Sequence, residues 1–194
     1  IFMIKKVLLT IFVVNSCSYI SYTEILPTIR SVVIGAGDIE INQSYIDSKE
    51  YSFAKFKIGR SSIAILSLAY IKDGVFEWVS SSNERIFTFN GKIIKTIGLP
   101  HNIDILDTYT RQGFSSQTVL VALDNPNATV SQFLTYQSIV TEGNVTVVEQ
   151  VIFNELNLDV TNTYVIDESN GRPISSTQKI HPHLPKISIN FYYK

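Results

Sequence analysis

The sequence predicts an all-β fold: an antiparallel β-barrel or sandwich-like domain of roughly ten strands, preceded by a short N-terminal helical segment. Three observations support this prediction. Short apolar runs, some alternating with polar residues, recur from Tyr51 to the end of the chain. Turn residues separate these runs, most clearly at Asn90-Gly91. Segments with helical periodicity are missing after residue 50, so a parallel sheet would have no crossover helices.

The turn residues fix the order of the predicted strands. Lys72-Asp73-Gly74 and Asn90-Gly91 each predict a tight hairpin, and Asn-Gly is the strongest short hairpin signal. Glu142-Gly143-Asn144 and Ser169-Asn170-Gly171 mark two later turns. The predicted strands are Ser62–Tyr70, Val75–Ser80, Ile86–Phe89, Lys92–Ile97, Thr118–Leu123, Gln132–Thr141, Val145–Asn154, Leu158–Ile166, Pro173–Ile180 and Ile187–Tyr193.

Two helical segments are predicted before the strands. Between Ile25 and Val33, apolar residues recur at positions i, i+4, i+7 and i+8, which is the spacing of one helix face, and Gly35 closes the segment. A second helical turn begins at Asn42, a residue type that caps helix N-termini well, and includes Tyr45.

The N-terminal residues have the pattern of a signal peptide. Lys5 and Lys6 form a basic region, and Val7–Val14 forms an apolar run. As a helix this run would be about 12 Å long, whereas the bilayer hydrocarbon is roughly 30 Å thick. The run is therefore too short to span a membrane and is typical of a signal-peptide core.

The apolar run ends in Val14-Asn15-Ser16-Cys17, which resembles the bacterial lipobox and contains the single cysteine of the chain. The resemblance implies cleavage between Ser16 and Cys17 and acylation of Cys17, such as with palmitate. Several buried acyl chains anchor a protein far more firmly than one chain does. The expected parts are a signal peptide (1–16), a lipidated tether (17–24) and a single β domain (25–194). The alternative is an ordinary secreted protein with a chance cysteine near its cleavage site.

The charge balance excludes one class of partner. Residues 1–16 contain two of the 16 basic residues and none of the 17 acidic ones, so cleavage leaves a net charge of −3. Nucleic-acid binding depends on basic groups that neutralise phosphates. We therefore expect no nucleic-acid partner.

The strand pattern, together with the lipobox, resembles the YjbF/GfcB family of outer-membrane lipoproteins, of which YmcC is an example. The most specific stretches are Phe76–Asn102 and Asn162–Asp167, followed by Gly171 and Gln178; Val165 departs from the tryptophan expected in most relatives. The resemblance implies a β-barrel-like domain with a role in exopolysaccharide or capsule production. It also implies periplasmic and outer-membrane secretion proteins as partners. With Ser18 after the cysteine, it implies a lipid-anchored location on the periplasmic face of the outer membrane.

Two groups of residues contain side chains capable of chemistry. His181-Pro182-His183 could present two imidazoles, but zinc sites need three or four ligands, so a proline-rich surface loop is the preferred interpretation. His101, Asp104 and Asp107 could perform acid–base chemistry only if burial separated their pKa values. We therefore expect no catalytic residues, no metal site and no cofactor.

Three functional hypotheses remain open at the level of sequence. The first is a non-enzymatic accessory or assembly factor of exopolysaccharide or capsule secretion. The second is a carrier whose barrel cavity binds a lipid or a glycan, which would require a continuous apolar pocket of about 300–1,000 Å³. The third is a polysaccharide-modifying enzyme, which would require titratable groups that converge in a cleft. Aromatic residues such as Trp78 are expected to serve packing.

Overall fold

The computed structural model describes residues 41–106 and 116–194. Its first element is a short helix, α1 (Gln43–Asp47), and Asn42 is the N-cap. The side-chain oxygen of Asn42 accepts a hydrogen bond from the Tyr45 N–H at 2.9 Å, which satisfies one of the donors that every helix start leaves open. The helical turn predicted at Asn42 is thus confirmed. The helix predicted from Ile25 lies outside the described residues, as does Cys17.

Twelve strands follow in the described ranges and close into an antiparallel barrel, which confirms the predicted fold class. The strands are β1 (Phe53–Ile58), β2 (Ala64–Lys72), β3 (Val75–Val79), β4 (Arg85–Phe89), β5 (Lys92–Ile97), β6 (Ile103–Ile105), β7 (Gln117–Leu123), β8 (Ala128–Thr141), β9 (Asn144–Phe153), β10 (Leu158–Asp167), β11 (Pro173–Gln178) and β12 (Ile187–Tyr192). A single 3₁₀ turn, Asn154–Leu156, joins β9 to β10. In the same residues, no helix has the length and apolar character needed to cross a membrane.

All ten strands predicted individually are present, and β1 and β6 are additional. β1 closes the barrel by pairing with β12, from Phe53 opposite Tyr192 to Ile58 opposite Ile187. β6 has only three residues and pairs with β5 through one residue pair. Closure removes the exposed strand edges that an open sheet would leave.

The two predicted hairpin turns have the expected backbone. Asn90 and Gly91 have φ values of 49° and 80°, and Asp73 and Gly74 have φ values of 51° and 82°. Positive φ at both central residues is the signature of the type I′ turn, whose twist matches that of the flanking strands. A Cβ atom at Gly91 would lie 2.9 Å from the Pro173 Cβ, so close packing also requires glycine there.

Side chains of β3 alternate between the barrel interior and the outer surface. Trp78 is buried in the core, and its ring lies 5.3 Å from that of Phe191. The indole N–H donates to the Thr88 hydroxyl at 2.9 Å, so the polar atom of this large ring is satisfied. Glu77, the residue before Trp78 in β3, points the other way and pairs with Arg85 at 3.2 Å near the surface. The expectation that Trp78 serves packing is confirmed.

Candidate functional site

A cleft of about 760 Å³ opens in the barrel wall between the start of β2 and the loop that follows β3. The cleft exists because β2 and β3 are unequal in length. β2 pairs with β3 only from Ser67, which lies opposite Val79, the last residue of β3. The preceding residues of β2, from Ala64 to Leu66, pair with β1 alone. One side of this strand segment therefore faces the cleft.

The loop on the other side of the cleft is held by its own hydrogen bonds. The Ser80 hydroxyl donates to the Glu84 carboxylate and accepts from the backbone N–H groups of Glu84, at 3.1 Å, and Ser82, at 3.2 Å. Asn83 has a φ of 68°, a conformation that asparagine tolerates better than most residues. These contacts give the loop a defined shape, which a binding site requires.

The cleft has an apolar floor and a hydroxyl-rich rim. The floor consists of buried core side chains: Phe56, Leu66, Ile86 and Leu99. The rim carries hydroxyl groups from Tyr45, Tyr51, Ser61, Ser62, Ser67, Ser80, Ser81 and Ser82. Lys49 and Glu84 contribute one positive and one negative charge, and the Lys49 Nζ lies 4.7 Å from the centre of the Tyr45 ring. Such a lining can accept and donate many hydrogen bonds to a polar ligand.

The barrel interior contains a buried ion pair. Lys92 and Glu149 contact each other with side chains that are 5% and 0% exposed. Glu149 also accepts hydrogen bonds from the Tyr164 hydroxyl at 2.6 Å and from the Asn162 amide at 3.0 Å. Burial raises the pKa of Glu149, but the Lys92 charge and these hydrogen bonds outweigh burial and hold that pKa below its ordinary value.

Gln178 extends the polar network across the barrel. Its side-chain oxygen accepts from the Ile93 N–H at 2.9 Å, and its amide donates to the Gly91 carbonyl at 2.8 Å and to the Ser176 hydroxyl at 2.9 Å. β11 is thereby tied directly to β5. The space that remains among these side chains is about 10 Å³, roughly one water molecule. At this level the barrel is filled and holds no ligand-sized cavity.

The residues suspected of acid–base chemistry do not form one group. Asp104 pairs with Lys95 on the surface, where both side chains are 41% exposed. His101 instead lies in the loop between β5 and β6, and its Nδ1 contacts the Asn125 carbonyl oxygen at 2.7 Å. Asp107 lies outside the described residues. The geometry brings no catalytic pair together from His101 and Asp104.

The structure does bring the three histidines together. The ring of His101 lies 4.8 Å from that of His181 and 5.6 Å from that of His183. The surface-loop interpretation is wrong for His181, which is fully buried because the β11–β12 connection folds against the loop that contains Asp124. It is correct for His183, which is exposed.

His181 has a structural role, because both of its ring nitrogens form hydrogen bonds with backbone groups. Its Nδ1 accepts from the His183 N–H at 3.1 Å, and its Nε2 lies 3.1 Å from the Asp124 carbonyl oxygen. An amide can only donate and a carbonyl can only accept, so His181 is the neutral tautomer with its proton on Nε2. Burial lowers the pKa of His181, and the charge of His101 lowers it further. In the described ranges, no three ligating side chains are placed to hold a metal ion.

The fold and these sites define a class of protein: a closed antiparallel β-barrel with a filled interior, which combines an apolar core with a buried polar network, and a cleft in its wall. The chain belongs to the family described as group 4 capsule polysaccharide lipoprotein GfcB, YjbF, whose model matches residues 26–191. The resemblance predicted from the sequence is thus confirmed.

Two individual relatives agree with this assignment. The chain is 25% identical over 101 residues to the uncharacterized lipoprotein GfcB of Escherichia coli (strain K12), a match that covers 51% of this chain and 47% of that protein. The match spans about half the length of that curated relative. The crystal structure of the hypothetical lipoprotein YmcC from Escherichia coli (K12) has a TM-score of 0.61 at 18% identity. The structural match covers 91% of this chain and 98% of the YmcC chain. This likeness shows that the two proteins share a fold.

Proposed function

We propose that the protein is a lipid-anchored, non-enzymatic accessory factor in capsule or exopolysaccharide secretion. The observation that carries this proposal is the family match over residues 26–191, because that family is described as one of capsule polysaccharide lipoproteins. Its partners in this role are periplasmic and outer-membrane proteins of the secretion machinery, and its place is the periplasmic face of the outer membrane.

The placement of the ionisable groups supports a non-enzymatic role. A general acid or base must reach its substrate within hydrogen-bond distance. Glu149 and Lys92 are paired with each other inside the barrel, and both ring nitrogens of His181 contact backbone groups. Asp104 is in a surface ion pair. These ionisable groups are therefore engaged in contacts within the fold.

The expected acylation of Cys17 supports the proposed location. Cells fed radiolabelled palmitate should label the wild-type protein at this cysteine. The Cys17→Ser variant should carry no label because it lacks the thiol that forms the thioether. Label in the Cys17→Ser protein would refute the anchor.

Polysaccharide export in cells tests the non-enzymatic role. A strain that lacks the gene should regain surface polysaccharide with the wild-type gene, and equally with His101→Ala, Asp104→Ala or Asp107→Ala. Lys57→Ala is the matched surface control, since it removes a partly exposed charge from β1. If one of the three variants abolishes export while it stays folded and membrane-bound, the protein acts as an enzyme.

A further inference from the structure

We propose that the cleft between the start of β2 and the Ser80–Glu84 loop binds a short segment of a glycan chain, two or three sugar units long. The proposal rests on the proposed function only for the source of the glycan, a secreted polysaccharide. The site itself is argued from the size of the cleft, its lining and the backbone of β2.

The size of the cleft fits such a ligand. Sites for small ligands occupy about 300–1,000 Å³, and this cleft has about 760 Å³. A disaccharide or trisaccharide belongs to the size class of ligands that these sites hold. The filled barrel interior, with about 10 Å³ of space beside Lys92, leaves the wall cleft as the larger of the two spaces.

The rim of the cleft matches the chemistry of sugars. A sugar carries several hydroxyl groups that both donate and accept hydrogen bonds, and serine hydroxyls can do the same. Ser61, Ser62, Ser81 and Ser82 are exposed at the rim, and the Glu84 carboxylate provides a strong acceptor. An acyl chain in this place would take these hydroxyls out of water without replacing their hydrogen bonds, which is unfavourable.

The aromatic residues of the cleft suit the apolar faces of sugar rings. Tyr51 is 46% exposed and lines the cleft beside Tyr45. Tyr45 is held between the ring of Phe53, at 5.6 Å in an edge-on contact, and the Lys49 ammonium. A fixed ring and an exposed ring together form an amphipathic platform with an apolar face and a polar tip.

The backbone of β2 adds polar groups to the same wall. The Leu68 N–H donates to the Ser52 carbonyl at 2.9 Å, on the side of β1. Hydrogen-bonding directions alternate along an antiparallel strand, so the N–H and C=O groups of Ile65 point to the other side. There β3 has already ended at Val79, and Ile65 lines the cleft. A glycan hydroxyl can thus reach one backbone donor and one acceptor.

Calorimetric titration of the purified, acylated full chain in detergent tests the proposal. The probe is a mixture of oligosaccharides of three to six sugars, released by partial acid hydrolysis from the extracellular polysaccharide of the producing strain. We expect saturable binding that Ser81→Trp abolishes, because the indole fills the cleft. Tyr51→Ala should weaken binding about two- to tenfold through the lost ring contact. Tyr70→Ala is the matched control: this tyrosine is 59% exposed on β2 but outside the cleft, and binding should be unchanged.

Three outcomes would overturn the proposal. The first is that the oligosaccharides do not bind to the wild-type protein. The second is that Ser81→Trp binds them as the wild type does, which would place the site elsewhere. The third is that a fluorescent long-chain fatty acid binds to the wild type and not to Ser81→Trp, while the oligosaccharides bind to neither protein. That result would make the cleft a lipid site. Each result is independent of polysaccharide export in cells, so a failed glycan site leaves the proposed accessory role standing.

Discussion

The buried pair of Lys92 and Glu149 allows a quantitative prediction about stability. Replacement of Lys92 by methionine keeps a side chain of similar length but leaves the Glu149 carboxylate, which is 0% exposed, without its counter-charge. Removal of one partner from a buried ion pair typically costs about 3–5 kcal/mol, because the remaining charge stays desolvated. For a domain of this size, each kcal/mol lowers the melting temperature by about 2–4 °C. We expect the melting temperature of Lys92→Met to fall by about 6–20 °C at neutral pH.

The loss should depend on pH in a defined direction. In the wild type, the folded-state pKa of Glu149 lies below its ordinary value of 4.5, so this carboxylate stabilises the fold above that pH. The contribution disappears as pH falls through the lower folded-state pKa. In Lys92→Met, burial raises the pKa of Glu149. Acidification protonates this carboxyl and so removes the free-energy cost of a buried charge without a partner. The difference in stability between the two proteins should therefore shrink from pH 7.5 to pH 5.

A double variant separates the lost charge from the lost packing. In Lys92→Met/Glu149→Gln, the glutamine oxygen still accepts from Tyr164 and Asn162 while no charge remains buried. Much of the stability should return, with a coupling energy of about 1–3 kcal/mol in urea denaturation. The account of this network is wrong if Lys92→Met costs less than about 1 kcal/mol at pH 7.5, or if the costs of the two changes simply add.

Two further predictions concern the barrel and are read by thermal and urea unfolding. Gly91→Ala should cost about 1–3 kcal/mol more than Gly143→Ala. Both glycines have positive φ, but only at Gly91 would the added Cβ meet Pro173, at 2.9 Å, and equal costs would contradict this contact. Trp78→Phe should cost about 1–3 kcal/mol through the lost hydrogen bond to Thr88 and the smaller ring; an unchanged unfolding midpoint would show that this contact contributes nothing.

The sequence predicts the barrel well because most of its strands are marked by short turn motifs between residues that are close in the chain. Asn90-Gly91 and Asp73-Gly74 fix tight hairpins through their positive φ values, and the strands on either side follow. β1 and β6 were not predicted individually for different reasons. β1 is defined by its pairing with β12, from Phe53 to Ile58, at the opposite end of the domain. β6 is three residues long, too short for any periodicity to emerge.

The candidate sites were harder to predict because they depend on contacts between distant segments. Lys92 and Glu149 are 57 positions apart. Glu149 is the one charged residue of β9, whereas Lys92 shares β5 with Lys95, so no local pattern pairs Lys92 with Glu149. The histidine cluster joins His101 to the loop of His181 and His183, which the sequence treats as separate. The cleft arises because β3 ends at Val79, opposite Ser67, so the first residues of β2 have no partner in β3. The exact ends of strands are the least certain feature that a sequence pattern predicts.

The amount of surface polysaccharide made by cells that carry Cys17→Ser tests the central claim most directly. An accessory factor acts through its location, and loss of the anchor lowers its effective concentration at the membrane. The Cys17→Ser protein should lack the acyl anchor, show the circular dichroism of a folded β domain, and restore little polysaccharide to a strain that lacks the gene. Wild-type levels of surface polysaccharide from this folded, unanchored protein would contradict the claim.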